Sequence, residues 1–384
     1  MLKKLFCFLL CFAVSFSALS VTTKASALNL SAQSAVLINA ETGEVIYEKN
    51  AYEKRGIAST TKIMSSIVAI ETGDLSRKTK AKYEDVAVEG TSIGLKAGDS
   101  VSLDVLVKGM LLESGNDAAN VTATLVAGDK EKFSRLMNNK AEEIGMKSTS
   151  FLNPSGLTEE NHFSTAYDMA LLGAYAIKNE LFCDICSASK FTVSFGTPER
   201  TQTFYNHNKF LYKFDGALGI KTGFTKASGR CLVTAAERDG VTLVAVTLKA
   251  PDDWNDHIKL MEYGFERVKR VNVSYDASEL AIPVVGSDVM TVGVELSNDL
   301  SFVVNGEPPQ YKTVVYAEKF LYPYVEKGDC VGWVEVEDTS GKLLCSAYLL
   351  TTSSAKPLQE NAEEISFIEK IFKNIKEGLS QRQA

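Results

Sequence analysis

The sequence predicts an α+β protein: a catalytic domain with an antiparallel sheet and covering helices, then a small all-β domain and a terminal helix. Three observations carry this. Strand-like segments stand at both ends of the first 270 or so residues, with helical patterns between them. From Val273 the pattern becomes short strands separated by turn residues. After a polar linker, apolar residues recur at spacings of three and four to the end of the chain.

The first 27 residues read as a secretory signal. Lys3 and Lys4 give a basic start, Leu5 to Ala18 is almost wholly apolar, and Ala25-Ser26-Ala27 is an A-x-A cleavage site. The mature chain is then expected to start at Leu28, outside the cytoplasmic membrane. Losing Lys3, Lys4 and Lys24 moves the formal charge from −7 to −10. An exported protein this acidic is a poor partner for nucleic acid.

The catalytic domain is placed at 28–272. Ala35–Ile38 and Glu44–Tyr47 flank Glu41-Thr42-Gly43 as a hairpin. A helix is predicted from Ser59 to Thr72. Its Ile63, Met64, Ile67, Val68 and Ile70 cover more than one stripe, as in a helix buried on several sides. Ser102 is expected to cap a helix ending near Glu113, and helices are predicted over 117–126 and 129–144. Ser164 or Thr165 caps a further one. Strands follow over 219–222, 231–236 and 241–248, the last pair closed by Arg238-Asp239-Gly240. The second domain is placed at 277–353 as a β-sandwich. Its strands are expected over 289–296, 301–304, 312–316, 330–336 and 343–350.

Five cysteines remain after the signal, an odd number without the spacing of a disulfide scaffold. Cys183 and Cys186 read as two small apolar residues on one helix face rather than half of a zinc site, since no second pair accompanies them. A bridge between Cys330 and Cys345 is left open. The three histidines, His162, His207 and His257, form no H-E-x-x-H pattern, and there is no Gly-rich phosphate loop. No metal or cofactor is expected.

The chemistry lies in three motifs in order: Ser59-Thr60-Thr61-Lys62, Ser114-Gly115-Asn116 and Lys221-Thr222-Gly223. A serine needs a base beside it to act as nucleophile. On a helix, positions i and i+3 share a face, so Ser59 and Lys62 can meet. Lysine is a base only when neutral, and burial or a second cation, here Lys221, lowers its pKa. Ser114 could relay a proton and Asn116 could hold a substrate amide. Lys221, with the hydroxyls of Thr222 and Thr225, would attract a carboxylate at a strand edge. Gly223 lets another backbone come close there. The backbone N–H groups of Ser59 and Phe224 would form an oxyanion hole. Taken alone, Ser59 reads as a helix cap and Asn116 likewise.

These motifs, in the stretches Gly56–Lys62, Glu113–Asn120, His162–Ala166 and Gly219–Thr225, resemble those of the serine-type D-alanyl-D-alanine carboxypeptidases. These are the low-molecular-weight penicillin-binding proteins, related to class A β-lactamases. The resemblance implies a β-lactamase/transpeptidase-like catalytic fold. It implies that Ser59 is acylated with Lys62 as base, that Ser114 and Asn116 assist, and that Lys221 and Thr225 hold the terminal carboxylate. Its substrates would be peptidoglycan stem peptides, and its covalent inhibitors β-lactam antibiotics. Phe224 stands where some relatives carry His. A β-lactamase shares the motifs, but the Glu-x-x-Leu-Asn pattern is absent around Glu159 and Glu160. A catalytically silent envelope protein that binds wall peptides is the third reading, and intact Ser59, Lys62 and Lys221 count against it.

The tail completes the reading. Ile365, Ile368, Phe372, Ile375 and Leu379 form a stripe, widened by Phe367 and Ile371. From Ile365 onward there are four basic and two acidic side chains, too charged for a span but slightly positive on a negative protein. A membrane-surface helix over 358–384 is expected, as the resemblance also implies.

Overall fold

The computed structural model describes residues 28–358, together with Phe372 and Lys373. The expected signal and the amphipathic tail therefore lie outside the described residues, the last two apart. In chain order the first part holds β1 (Ser34–Asn39), β2 (Val45–Lys49), α1 (Lys62–Glu71), β3 (Lys78–Lys80), α2 (Tyr83–Val86), β4 (Ser100–Ser102) and α3 (Leu103–Leu111). Then come α4 (Asn116–Ala127), α5 (Lys130–Ile144), α6 (Ala166–Ile177), α7 (Glu180–Ser187), β5 (Lys190–Phe195) and β6 (Arg200–Tyr205). This part closes with β7 (Ala217–Thr225), β8 (Gly229–Arg238), β9 (Val241–Leu248) and α8 (Asp253–Phe265).

The central sheet has the order β2-β1-β9-β8-β7 and is antiparallel throughout, so both ends of this stretch of chain build it, as the sequence predicts. Strands buried on both faces explain their nearly unbroken apolar runs. Val36 and Ile38 of β1 and Val244 and Val246 of β9 face the core shared with α1, α3 and α6. Ala35, Leu37, Leu243 and Ala245 face the core shared with α8. The period of two thus divides one strand between two cores. Helix α1 is buried from Lys62 to Ile70, which accounts for its apolar positions spreading beyond one stripe.

Caps fall where short polar side chains precede the helices. The Ser102 hydroxyl accepts the Val105 N–H at α3. Asp129 caps α5, and Thr165, rather than Ser164, caps α6 by accepting the Asp168 N–H. Ser164 is drawn away by the Thr149 hydroxyl, 2.7 Å distant. The helix expected from Ser59 opens instead as a 3₁₀ turn, Ala58–Thr61, and becomes α-helical at Lys62. The β5–β6 hairpin and α8 lack strong sequence signals. The hairpin's outward positions are hydroxyls that pair across strands, Thr192 with Thr203 and Ser194 with Thr201, and α8 opens on a run of charged and amide residues.

Beyond α8 the chain is all-β, with β10 (Val268–Asn272), β11 (Ala281–Pro283), β12 (Thr291–Leu296), β13 (Ser301–Asn305), β14 (Tyr311–Ala317), β15 (Cys330–Asp338) and β16 (Leu343–Thr351). A five-stranded sheet, β11-β12-β16-β15-β14, packs with the β10–β13 ribbon around Val292, Val334, Val336, Phe302 and Leu349. Strand β10, just after α8, already pairs with β13. The protein is thus an α+β catalytic domain followed by a β domain. Cys330 and Cys345 are both free. They sit on different rungs of the β15–β16 ladder, Cys330 opposite Leu350 and Cys345 opposite Val336. Among the described residues no helix is long and apolar enough to cross a membrane.

Candidate active site

A 3₁₀ turn is tighter than an α-helix, and its residues i and i+3 eclipse. Ser59 on that turn therefore stands directly over Lys62, with Oγ and Nζ 3.1 Å apart. The turn is held from two sides. Gly223 of β7 approaches so closely that an added Cβ would lie 3.0 Å from the Thr60 nitrogen and 3.1 Å from that of Ser59. Gly156, at φ +82°, packs against the carbonyl of Ala58. Ala58 itself adopts φ +48°, an uncommon conformation for a residue with a Cβ.

Lys62 is fully buried, and its amine has three neighbours. Besides Ser59 Oγ, it donates to Asn116 Oδ1 at 2.7 Å and to the Ser155 carbonyl at 2.6 Å. The Asn116 amide is oriented by its NH₂ group, which donates to the Glu89 carbonyl at 2.7 Å. Burial pushes the Lys62 pKa well below the ordinary lysine value, and Lys221 pushes it further the same way, with Asp117 opposing. Two of the three partners can only accept. A neutral amine has two N–H groups for them and one lone pair, which is left for the Ser59 hydroxyl proton.

Lys221 is buried too, and burial lowers its pKa to about 7. Its Nζ donates to the Thr222 carbonyl at 2.9 Å. Strand β7 forms the outer edge of the sheet. A cleft of about 390 Å³ runs beside it, lined by Ser59, Ser114, Thr222, Gly223 and Phe224 among others. Ser114 sits at φ +60°, a left-handed position of the kind that clusters at functional sites. The Thr91 hydroxyl bonds its carbonyl at 2.6 Å.

The structure thus brings Ser59, Lys62, Ser114, Asn116, Lys221, Thr222, Gly223 and Phe224 into one region. Two residues stand differently from the sequence expectation. Asn116 lies behind Lys62 rather than on the cleft wall. The Thr225 hydroxyl is engaged by Ser228, accepting its N–H at 3.0 Å, and Thr225 is not among the cleft-lining residues.

Other residues of the site carry no local sequence signal. Thr91, His207, Lys209, Arg230, Asp253 and Trp254 complete the lining. Arg230 on β8 pairs with the buried carboxylate of Asp253 at 2.8 Å. Glu113, just before the Ser-Gly-Asn motif, accepts the Tyr205 N–H at 2.6 Å and so ties that loop to β6. Asp117, just after it, gathers Ser92, Ile93 and Leu95 and fixes the loop that carries Thr91. His162 is structural. Burial lowers its pKa to about 4, its Nδ1 accepts the Leu152 N–H, and its Nε2 meets the Thr61 hydroxyl at 2.9 Å. Glu159, the carboxylate a β-lactamase reading would use, instead accepts from Asn153 at 2.7 Å.

Comparison with known proteins agrees with this arrangement. A family profile described as D-alanyl-D-alanine carboxypeptidase matches residues 21–252. The chain belongs to that family. The membership bears out the resemblance drawn from the three motifs and the reading of the protein as an enzyme. Two relatives illustrate its reach. The chain is 35% identical over 272 residues to the D-alanyl-D-alanine carboxypeptidase DacF of Bacillus subtilis, covering 67% of this chain and 68% of that protein. It is 31% identical over 388 residues to DacC of Escherichia coli, covering 95% and 92%. Among solved structures, penicillin-binding protein 5 of Haemophilus influenzae superposes with a TM-score of 0.62 at 26% identity, covering 85% of this chain and 98% of that one. The carboxypeptidase DacD of Francisella tularensis gives 0.60 at 26%, covering 86% and 95%. Both likenesses extend well past the catalytic domain, in keeping with an α+β domain followed by a β domain.

Proposed function

We propose that this protein is an exported serine D-Ala-D-Ala carboxypeptidase that trims the terminal D-alanine from peptidoglycan stem pentapeptides through an acyl-enzyme on Ser59. The observation that carries the reading is the hydrogen-bond arithmetic at Lys62: a buried amine with two acceptor-only partners and the Ser59 hydroxyl as the third.

In the first step Lys62 Nζ takes the Ser59 proton as Oγ bonds to the carbonyl carbon of the scissile peptide. The resulting oxyanion lies between the N–H groups of Ser59 and Phe224, which the close packing of Gly223 on the turn holds near each other. One such donor contributes about 2.7–4 kcal/mol to the transition state. The C–N bond then breaks, and the leaving D-alanine nitrogen takes the proton from Lys62, with Ser114 as relay. Water repeats the sequence on the ester and frees Ser59. A β-lactam follows the first half, but its leaving nitrogen stays tethered in the opened ring, so the adduct persists. The peptide lies along the edge of β7, with its carboxylate toward Lys221 and its neighbour Thr222. Arg230 and Lys209 are further cations, on the cleft wall.

The mature enzyme works on the outer side of the cytoplasmic membrane, held peripherally by the amphipathic segment after Pro357. The signal at the N-terminus and the slightly positive tail support this placement. Mass spectrometry after mixing with penicillin tests the chemistry. The parent protein gains one drug mass, and Ser59→Ala gains none while keeping its fold. Full labelling of Ser59→Ala would overturn the assignment. A rapid return to the free mass would instead favour a β-lactamase.

A further inference from the structure

The described chain leaves the β domain at one end, and that end is unusually apolar. Three segments meet there. The β11–β12 loop and the segment after β14 are joined by the Val285 N–H to the Leu321 carbonyl and the Leu321 N–H to the Pro283 carbonyl, 2.9 and 2.8 Å. The exiting chain is stitched to the same loop. The Leu358 N–H reaches the Gly286 carbonyl at 3.1 Å, and the Asp288 N–H reaches that of Lys356 at 2.8 Å. Soluble proteins rarely expose large contiguous apolar patches. Here these segments expose Val285, Val289, Met290, Phe320, Tyr322 and Leu358, with Met290 88% exposed and Phe320 edge-on to Tyr322 at 5.5 Å. The charged residues of these segments, Asp288, Glu318, Glu326 and Asp329 against Lys319, Lys327 and Lys356, nearly balance on a protein of net charge −7. A contiguous apolar tip with an aromatic pair marks an interaction surface.

We propose that this tip is a second membrane contact, inserting Met290 and the Phe320–Tyr322 pair into the interfacial layer beside the amphipathic tail. The inference rests on the membrane reading of the tail given above. What selects a lipid surface as the occupant is where the chain ends. The segment that follows Leu358 is the amphipathic one in sequence, and it starts at this tip, so a bilayer holding that segment is delivered to these side chains. Aromatic residues favour the headgroup level, and a nearly balanced tip meets less repulsion at anionic lipid than the acidic remainder would. A single amphipathic helix binds reversibly. A second contact on the same body acts at high effective concentration and also fixes which way the catalytic domain points.

The full mature chain is tested on vesicles of phosphatidylethanolamine and phosphatidylglycerol. Met290→Asp with Phe320→Asp alters two exposed side chains far in sequence from the motifs. It is expected to weaken vesicle binding about tenfold or more and to leave hydrolysis of a soluble peptide unchanged. A bimane placed by Met290→Cys, in a Cys330→Ser background, is expected to shift to the blue on vesicles relative to the labelled background alone. If the full chain floats with vesicles while the bimane does not shift and the double variant binds like the parent, the tip proposal is overturned and the tail reading stands. If the full chain fails to float, the tail reading falls and the tip with it. If sedimentation shows a dimer that the double variant dissociates, the tip belongs to a second copy, and the proposal is overturned in that way.

Discussion

The amine of Lys62 lies closer to Asn116 Oδ1, at 2.7 Å, than to Ser59 Oγ, at 3.1 Å. A neutral carbonyl at that distance can hold an N–H of a neutral amine without drawing a proton onto it. A carboxylate there would do the opposite. An opposite charge within about 4–6 Å favours the protonated lysine and moves its pKa by roughly 1–3 units.

Asn116→Asp loses the N–H bond to the Glu89 carbonyl, so it is expected to be somewhat less stable than the parent and to acylate slowly at neutral pH. Acylation needs neutral Lys62, so its rate rises with pH through the lysine pKa, and the substitution should move that rising limb to higher pH by one unit or more. At neutral pH the loss is about tenfold or greater, recovered partly in alkali. Stopped-flow acylation by a chromogenic β-lactam across pH checks this. An unmoved limb would show that Asn116 does not set the protonation of Lys62. Lys62→Arg, which keeps the charge and cannot deprotonate, should be nearly inactive at every pH.

Lys221 gives the opposite limb. Its pKa in the free enzyme is lowered to about 7 by burial. A bound carboxylate favours the charged form, so binding takes up a proton once the free lysine has lost its own. The attraction is fully present below pH 7 and is lost as pH rises through it. Affinity for a peptide with a free terminus should then fall about tenfold per pH unit above 7, while an amidated peptide shows no such fall. Inhibition constants for the two peptides measure this directly, and Lys221→Ala should erase their difference. A preference for the free acid that survives in Lys221→Ala would pass the role to Arg230 on the cleft wall.

What the sequence makes legible here is local. Ser59 and Lys62 are three apart, and any helical turn joins them, so the 3₁₀ geometry that replaced the expected α-helix leaves the pair intact. The two-faced burial of β1 and β9 is likewise written in their apolar runs. The Ser155 carbonyl that holds Lys62 is 93 residues away, and a backbone group leaves no mark in a side-chain pattern. Arg230, Asp253 and Trp254 meet only because α8 folds back beside β8, and no spacing announces that. The hydroxyl of Thr225 reads from sequence as a ligand for carboxylate, yet Ser228, three residues on, occupies it.

The tail makes a separable prediction. The last backbone bonds of the described β domain run from Leu358 to Gly286 and pair Ser287 with Pro357. Ending the chain after Pro357 removes only the first of these and touches none of the cores. The truncated enzyme should keep its thermal midpoint and its activity on a soluble peptide while losing most of its vesicle binding. Equal flotation of full-length and truncated protein would remove the tail as the anchor.

The turn that carries Ser59 makes the most stringent prediction. Ala58 holds a left-handed φ of +48°, and Gly156, at φ +82°, faces its carbonyl. A Cβ at position 156 would overlap the Ala58 oxygen outright and lie 2.8 Å from Thr61 Oγ1. The obstacle is backbone, which cannot swing aside as a side-chain tip can, and alanine is itself strained at that φ. Relief must come from moving the turn, which shifts Ser59 relative to Lys62. The same loop also presents the Ser155 carbonyl to Lys62. Gly156→Ala should thus cost stability of about 1–3 kcal/mol and slow acylation by about a hundredfold, the scale expected when a reacting group is misplaced by about an ångström. Ala58→Gly is its control. It accepts the same φ without a Cβ, so it should leave acylation close to that of the parent. Denaturant unfolding and acylation rates on the two variants decide the matter. Normal acylation in Gly156→Ala would mean that the turn is not held from this side.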